Sequence, residues 1–203
     1  GMHGANRLGG NSLSDLVVFG WLAGKGAKDY IDGLSGNPEI NAEQVEGARR
    51  AATACLNRES GENPYLVHEA IQDALHENVN IVRDGDELAK AVELLEKVKL
   101  RAANVKAPGA SQYNPGWHEA LSLKSMLVTA ESVTRAALMR EESRGAHTRI
   151  DFEGEREDWG KVNIVIRKAA DGSMEIEKVE RPDPPEELAK IAFATIEDLE
   201  GGK

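Results

Sequence analysis

Arg7 is the first residue of the sequence whose surroundings suggest binding chemistry. It lies in the stretch HGANRLGG, residues 3–10, in which glycines let the backbone approach a ligand closely. An arginine guanidinium can hold a carboxylate through two parallel hydrogen bonds. Ser12 and Leu13 then begin an apolar segment, and the unsatisfied N–H groups at a helix start favour an anion. The residues indicate either an anion clamp beside a helix start or a flexible glycine-rich segment with an incidental arginine.

A second group of charged residues follows the longest predicted helix. The stretch REESRGAHTRIDF, residues 140–152, combines Arg140, Arg144 and Arg149 with His147 and several acidic residues. Such a mixture suits an ionic junction that docks another domain or contributes to a site. It equally suits a solvated helix end, whose cations complement the negative end of the helix dipole. Both interpretations stay open on composition alone.

Other residues that could bind a metal or act as nucleophiles form no recognisable pattern. His68 and His76 lie eight residues apart on one predicted helix, without the cysteine or HExxH spacing of a zinc site, so we predict no metal. Cys55 is the only cysteine, so the chain cannot form an internal disulfide, which is typical of a protein in a reducing cytoplasm. We expect its side chain to be buried among alanines. The sequence contains no P-loop, GxGxxG or GxSxG pattern.

The composition favours a helix-rich protein and argues against two classes of partner. The net charge of −10 argues against nucleic acid or an anionic membrane surface as a partner. Aromatic residues make up 4% of the 203 residues, while alanine, leucine and glutamate are abundant, which is typical of helices. No apolar run approaches the about 20 residues that span a bilayer, so we expect no direct membrane insertion.

The periodicity predicts helices over residues 12–32, 41–58, 64–78, 84–105 and 115–143. The inner face of the fourth is predicted to carry Leu88, Val92, Leu95 and Val98, and that of the fifth Leu123, Met126, Leu127, Ala130, Val133 and Ala137. Beyond residue 145 the apolar period changes to two, and Asp171-Gly172 predicts a tight hairpin turn before a proline-rich link and a short terminal helix. We therefore predict a mainly α fold: an up-and-down, spectrin-repeat-like helical bundle with a small C-terminal β-hairpin and a short terminal helix.

Two long stretches resemble a known family. HGANRLGGNSLSDLVVFG, residues 3–20, and MREESRGAHTRIDF, residues 139–152, are similar to signatures of the flavoprotein subunits of succinate dehydrogenases and fumarate reductases. The resemblance covers the C-terminal part of those subunits and implies three parts. Residues 1–36 would be the tail of the flavin-binding domain, residues 37–145 the helical bundle, and residues 146–203 the β-hairpin and terminal helix.

The resemblance also implies roles for individual residues. Arg7 matches the arginine that binds a substrate carboxylate, and Ser12 and Leu13 match positions whose backbone contacts the flavin. Arg144, His147 and Arg149 of the second motif would dock against the flavin domain. Trp21 departs from the family, which commonly has an arginine there.

For the parent enzyme, the resemblance implies FAD as cofactor and hydride transfer to or from a four-carbon dicarboxylate such as succinate or fumarate. Its partners would be the flavin-binding domain and an iron–sulfur protein, and partner subunits would hold it on the cytoplasmic side of the inner membrane. The catalytic residues of the parent enzyme would lie outside this chain, which by itself is expected to bind no FAD and to be inactive. Its apolar stretch LVVFGWLAG, residues 16–24, is expected either to form a homodimer or to fold back onto the bundle. The alternatives are part of an L-aspartate oxidase and a stand-alone helical protein-interaction module.

Overall fold

The computed structural model describes residues 11–192 and 194–199. Arg7, the predicted carboxylate-binding residue, lies outside these described residues. The chain divides into two compact units between Glu155 and Arg156. The sequence predicts a boundary after residue 145, ten residues earlier. The difference arises because residues 148–149 pair with residues 82–83 and so belong to the first unit.

From residue 11 onward, the first unit contains five long helices: α1 (Asn11–Asp32), α2 (Ala42–Asn57), α3 (Pro64–Asn78), α4 (Gly85–Ala102) and α5 (Pro115–Met139). Their starts follow from local chemistry. The side chains of Asn41, Asn63, Asp84 and Asn114 each accept a hydrogen bond from a backbone N–H in the first turn of the next helix, which satisfies donors that the helix cannot. Proline occupies the first position of α3 and α5, where its missing N–H costs nothing.

Helices α3, α4 and α5 pack against one another around the main core. Its buried side chains include Val67, Ile71, Leu95, Val98, Leu123 and Leu127, and also Cys55, as predicted. The prediction for the inner face of α5 was wrong at Val133, which is 45% exposed. Glu131 and Thr134 are buried instead, because Lys99 and Arg135 pair with the Glu131 carboxylate and the Thr134 hydroxyl donates to the Ala130 carbonyl.

A small parallel pairing closes the first unit. Strand β1 (Val82–Arg83) lies beside β2 (Thr148–Arg149), with Val82 opposite Thr148 and Arg83 opposite Arg149. Helix α5 ends at Met139, four residues before the predicted end, because Arg140 has an extended conformation with φ −82° and ψ 105°. The chain can therefore turn back and bring residues 148–149 to β1.

The second unit begins with the short helix α6 (Glu157–Gly160) and continues into the predicted antiparallel hairpin of β3 (Val162–Lys168) and β4 (Met174–Glu180). The turn is longer than predicted, since Lys168 pairs with Met174 and Gly172 has φ 87°. Two short helices, α7 (Glu186–Ala192) and α8 (Ile196–Leu199), follow where one was expected. The predicted fold class, a mainly α bundle with a small β-hairpin, is confirmed. None of the helices in the described residues combines the length and apolar character needed to cross a bilayer.

Candidate functional site

The first candidate site is the start of α1. As described, α1 spans Asn11–Asp32, so Ser12 and Leu13 lie in its first described turn. The side chain of Leu13 is 73% exposed. The first described turn of α1 is therefore at least partly accessible to another surface.

The stretch of α1 from residue 16 to residue 24 is apolar and exposed. From Ser12 to Asp32 no described side chain of this helix is buried, and Leu16, Val17 and Trp21 are 67%, 73% and 67% exposed. Trp21, the departure from the family pattern, has the Lys25 ammonium 5.7 Å from its ring centroid, a cation–π geometry. A helix with this composition is normally covered on its apolar sides.

The second candidate site is the junction formed by residues 140–155. Its turn is closed by two backbone hydrogen bonds, from the Arg144 N–H to the His147 carbonyl at 2.8 Å and from the His147 N–H to the Arg144 carbonyl at 3.0 Å. Gly145 takes a positive φ of 60° in this turn, which favours glycine. Gly145 and Ala146 are exposed, and so is Ile150 after β2.

A buried carboxylate anchors the beginning of the junction. Glu142 has no exposed side-chain surface, and it accepts hydrogen bonds from Arg140 Nη1 at 2.6 Å and from Arg144 Nε at 2.8 Å. Arg144 also donates to Glu155 at 3.0 Å. Because a buried charge is tolerated only when it is paired and hydrogen-bonded, these contacts fix Arg140 and Arg144 on Glu142.

Arg149 connects the end of α5 with the start of α4. Its side chain is 2% exposed, and Nη1 lies 3.0, 3.2 and 3.2 Å from the carbonyl oxygens of Ala137, Leu138 and Arg140. Nε and Nη2 donate to the two oxygens of Asp151 at 2.7 and 2.6 Å. The cation therefore lies at the negative end of the α5 dipole and forms a bidentate pair with a carboxylate.

Asp151 completes the connection to α4. Its Oδ2 accepts the backbone N–H of Gly85, the first residue of α4, at 3.1 Å. A Cβ on Gly85 would lie only 2.8 Å from that oxygen and 3.0 Å from Arg149 Nη2, so the close approach requires glycine. The hydrogen bonds from Arg149 hold the pKa of Asp151 below its ordinary value, so this carboxylate is charged at neutral pH.

His147 lies among arginines. Its Nδ1 is 2.6 Å from Arg83 Nη1, and its Nε2 is 3.3 Å from the Arg140 carbonyl oxygen. Burial lowers the pKa of the imidazole, and the positive charges of Arg83, Arg149 and Arg140 lower it further, against the raising effect of the Arg140 carbonyl. The neutral ring is the favoured form at physiological pH.

The structure thus brings three predicted docking residues, Arg144, His147 and Arg149, into one junction. Arg83, Gly85 and Asp151 complete it and were not predicted from the sequence. The local sequence could have indicated Gly85 and Asp151, because Asp84-Gly85 begins a predicted helix and Asp151 follows Arg149 by two residues. Nothing local marks Arg83 as a neighbour of His147, because the two are 64 residues apart.

The other chemistry-bearing residues have structural contacts. His68 Nδ1 lies 2.5 Å from a carboxylate oxygen of Glu119, between α3 and α5. Cys55 is buried. Within residues 11–192 and 194–199, histidine, cysteine and acidic side chains nowhere gather in a group able to hold a metal ion.

Comparison with known proteins gives a consistent result. The family model described as fumarate reductase flavoprotein C-term matches residues 68–195. An uncharacterized FAD-dependent oxidoreductase of Methanocaldococcus jannaschii is 38% identical over 168 residues, which are 82% of this chain and 30% of that protein. The fumarate reductase flavoprotein subunit of Escherichia coli is 34% identical over 182 residues, 87% of this chain and 30% of that protein.

The fold is also similar to a solved structure. Mycobacterium smegmatis Sdh1 in complex with UQ1 matches with a TM-score of 0.90 and 38% identity, over 98% of this chain and 34% of that chain. The sequence therefore spans only about a third of the length of the proteins that it matches.

Proposed function

Because the chain belongs to the succinate dehydrogenase and fumarate reductase flavoprotein family, we propose that it forms the C-terminal region of an enzyme that transfers a hydride between FAD and a four-carbon dicarboxylate. Support comes from the similarity to a fumarate reductase flavoprotein and to Sdh1, at 34% and 38% identity. Succinate and fumarate are the proposed substrates.

The exposed apolar surface of α1 is the structural observation that supports a place for this chain against another domain of a larger enzyme. This helix follows the glycine-rich stretch that resembles the family's substrate-binding signature, and its large apolar side chains lie in solvent. Exposed apolar patches of this kind are interaction surfaces. In the proposed enzyme the flavin-binding domain covers α1 and brings its first turn to the cofactor.

The start of α1 has the chemistry that this role requires. Ser12 and Leu13 lie in the first described turn of α1, and their backbone would stabilise negative charge on a flavin placed beside it. FAD, when bound, would supply the two-electron chemistry. Arg7 would hold a carboxylate of the substrate through a bidentate pair and so fix its orientation.

The junction around Arg149 is the proposed docking element. Arg144, His147 and Arg149 are already engaged within the chain, so they would shape the docking surface rather than form its contacts. The exposed residues of the same segment, Gly145, Ala146 and Ile150, would make the contacts. Electrons would pass to or from an iron–sulfur partner, and partner subunits would hold the assembly on the cytoplasmic side of the inner membrane.

The test uses the polypeptide that carries this sequence, expressed at its native length. The purified protein should contain FAD and should interconvert succinate and fumarate with artificial electron carriers. Arg7→Ala should lower kcat/KM for the dicarboxylate by about 30- to 1,000-fold, the equivalent of ~2–4 kcal/mol for losing a charged hydrogen-bonded partner. Arg50→Ala is the matched control, because this arginine is exposed on α2, and it should leave kcat/KM unchanged.

Other outcomes would contradict parts of the proposal. If kcat/KM of the Arg7→Ala variant stays within about threefold of wild type, Arg7 does not bind the substrate carboxylate. Oxidation of L-aspartate without turnover of succinate would identify an L-aspartate oxidase. A native-length protein that contains no flavin would favour a stand-alone interaction module.

A further inference from the structure

His147 is held in one protonation state by its two hydrogen-bond partners. The Arg83 guanidinium, 2.6 Å from Nδ1, can only donate a hydrogen bond, and the Arg140 carbonyl, 3.3 Å from Nε2, can only accept one. The ring must therefore accept at Nδ1 and donate at Nε2. Only the neutral imidazole with its proton on Nε2 does both.

The charged groups around this ring are cations. Arg83 approaches from β1, and Arg140 and Arg149 approach from the segment that follows α5. The nearby acids are engaged elsewhere: Glu142 binds Arg140 and Arg144, and Asp151 binds Arg149 and the start of α4.

At that start of α4, the Asp84 side chain accepts the Asp86 N–H. Among the described residues no carboxylate contacts the His147 ring or Arg83. A proton added to His147 therefore meets positive charge and no compensating acceptor.

The contact between the His147 segment and β1 is small. The junction is joined to β1 by the two-residue parallel pairing and by the hydrogen bond from the Ile150 N–H to the Arg83 carbonyl at 2.9 Å. Arg83 is itself fixed by its side chain, since Nε lies 2.7 Å from the Asn80 carbonyl and Nη1 contacts His147. Loss of the His147 acceptor would leave a half-buried guanidinium beside an imidazolium.

We propose that His147 is an acid-sensitive latch: protonation of its ring releases Arg83 and opens residues 144–150 from β1. The latch rests on contacts within this chain and does not depend on the proposed function. In the proposed enzyme the same segment carries the docking surface, so acid would weaken docking there.

The direction of the pH dependence follows from the favoured neutral ring. The unfolded or open segment has an ordinary histidine pKa of about 6.5, whereas burial and the neighbouring arginines lower the pKa in the closed state. The open state therefore binds more protons, and the closed state gains stability as the pH rises. The contribution of the neutral His147 ring to the stability of the closed state is complete above about pH 6.5. It is lost as the pH falls from there toward the lowered pKa.

Hydrogen exchange on the whole chain tests the latch. Exchange rates, corrected for the intrinsic pH dependence of the chemistry, should show residues 144–150 opening at least about threefold more often at pH 5 than at pH 7.5. The increase in opening between the two pH values cannot exceed about 30-fold, because an open segment with a histidine pKa of about 6.5 gains no more than that from protonation at pH 5.

His147→Gln keeps one acceptor and one donor but cannot be protonated, and it should abolish this dependence. His76→Gln is the matched control, because His76 is exposed on α3, and it should keep the wild-type dependence. Equal opening of wild type at both pH values, or an unchanged dependence in His147→Gln, would overturn the proposal.

A second measurement covers the case in which His147→Gln fails to fold. Nitrogen NMR of the wild-type imidazole at pH 7.5 should show the neutral Nε2–H tautomer, with a titration midpoint below that of an ordinary histidine. An Nδ1–H tautomer, or a midpoint at or above about 6.5, would also overturn the proposal.

Discussion

Replacement of Arg149 by methionine should destabilise the helical unit more than any other single charge removal in the junction. Methionine keeps most of the side-chain volume but removes every donor of the guanidinium. Three carbonyl groups at the end of α5 and both oxygens of Asp151 then lose a partner. Because the arginine side chain is only 2% exposed, little water replaces those contacts.

The expected loss is about 3–4 kcal/mol in the free energy of unfolding. Breaking a buried ion pair by removing one partner costs about 3–5 kcal/mol, because an uncompensated charge stays behind. The Asp151 side chain is 30% exposed, so its carboxylate can be partly hydrated, which places the loss in the lower part of that range. For a unit of this size each kcal/mol shifts Tm by about 2–4 °C, and the total shift should be about 6–16 °C.

Urea unfolding at pH 7, followed by circular dichroism at 222 nm, measures this loss. Arg149→Lys should lose about half as much, because an ammonium keeps the charge at the α5 end but cannot form the bidentate pair. Arg50→Met is the matched control: Arg50 is 66% exposed and 4.0 Å from Glu46, so it should change stability by less than about 0.5 kcal/mol. A loss below about 1 kcal/mol for Arg149→Met would refute the assignment of Arg149 as the connection between α5 and α4.

Four further predictions concern other parts of the chain. Gly85→Ala should destabilise the fold by about 1–2 kcal/mol in urea titrations, because its Cβ would displace the Asp151 carboxylate. Gly47→Ala is the control: Gly47 has open space around it, so this substitution should stabilise the fold by about 0.5–1 kcal/mol. Burial raises the pKa of Glu131, but the hydrogen bonds and charges of Lys99 and Arg135 together outweigh it and leave the pKa lowered. The unfolded chain therefore binds this proton more readily, so stability should fall as the pH drops below about 4.3, and a pH series of urea titrations should show Glu131→Gln losing less. Leu16→Glu should weaken self-association of the chain at least about tenfold in light scattering, because it places a charge on the exposed apolar surface of α1. The chain alone should bind FAD more weakly than about 10 μM in calorimetry, since helix-end electrostatics contribute about 0.3–1 kcal/mol and such affinity needs about 7 kcal/mol.

The helices could be predicted from the sequence because their signals are local. Asn41, Pro64 and Asp84 mark helix starts through capping and proline chemistry, and the structure begins its helices within one residue of the predicted positions. Leu88, Leu95 and Val98 were placed correctly in the core, because a stripe with helical spacing has one face to bury.

The junction could not be predicted because its contacts join distant parts of the sequence. Val82 pairs with Thr148, and Gly85 donates to Asp151 across 66 residues. No local pattern specifies a two-residue parallel strand. Val133 illustrates the same limit within one helix: its apolar side chain suits the core, but ion pairs let Glu131 be buried instead.

The two candidate sites reverse the usual assignment of apolar residues to the interior and charged residues to the surface. Leu16, Val17 and Trp21 are exposed, whereas Arg149 and Glu142 are buried. Burial of the charges is possible because each has partners for its hydrogen bonds, so substitutions there should act on stability. Exposure of the α1 side chains leaves apolar area that only another surface can cover, so substitutions there should change association while the bundle keeps its stability. Urea titration and light scattering on Arg149→Met and Leu16→Glu would separate the two effects, and a variant that lost both properties equally would contradict this division.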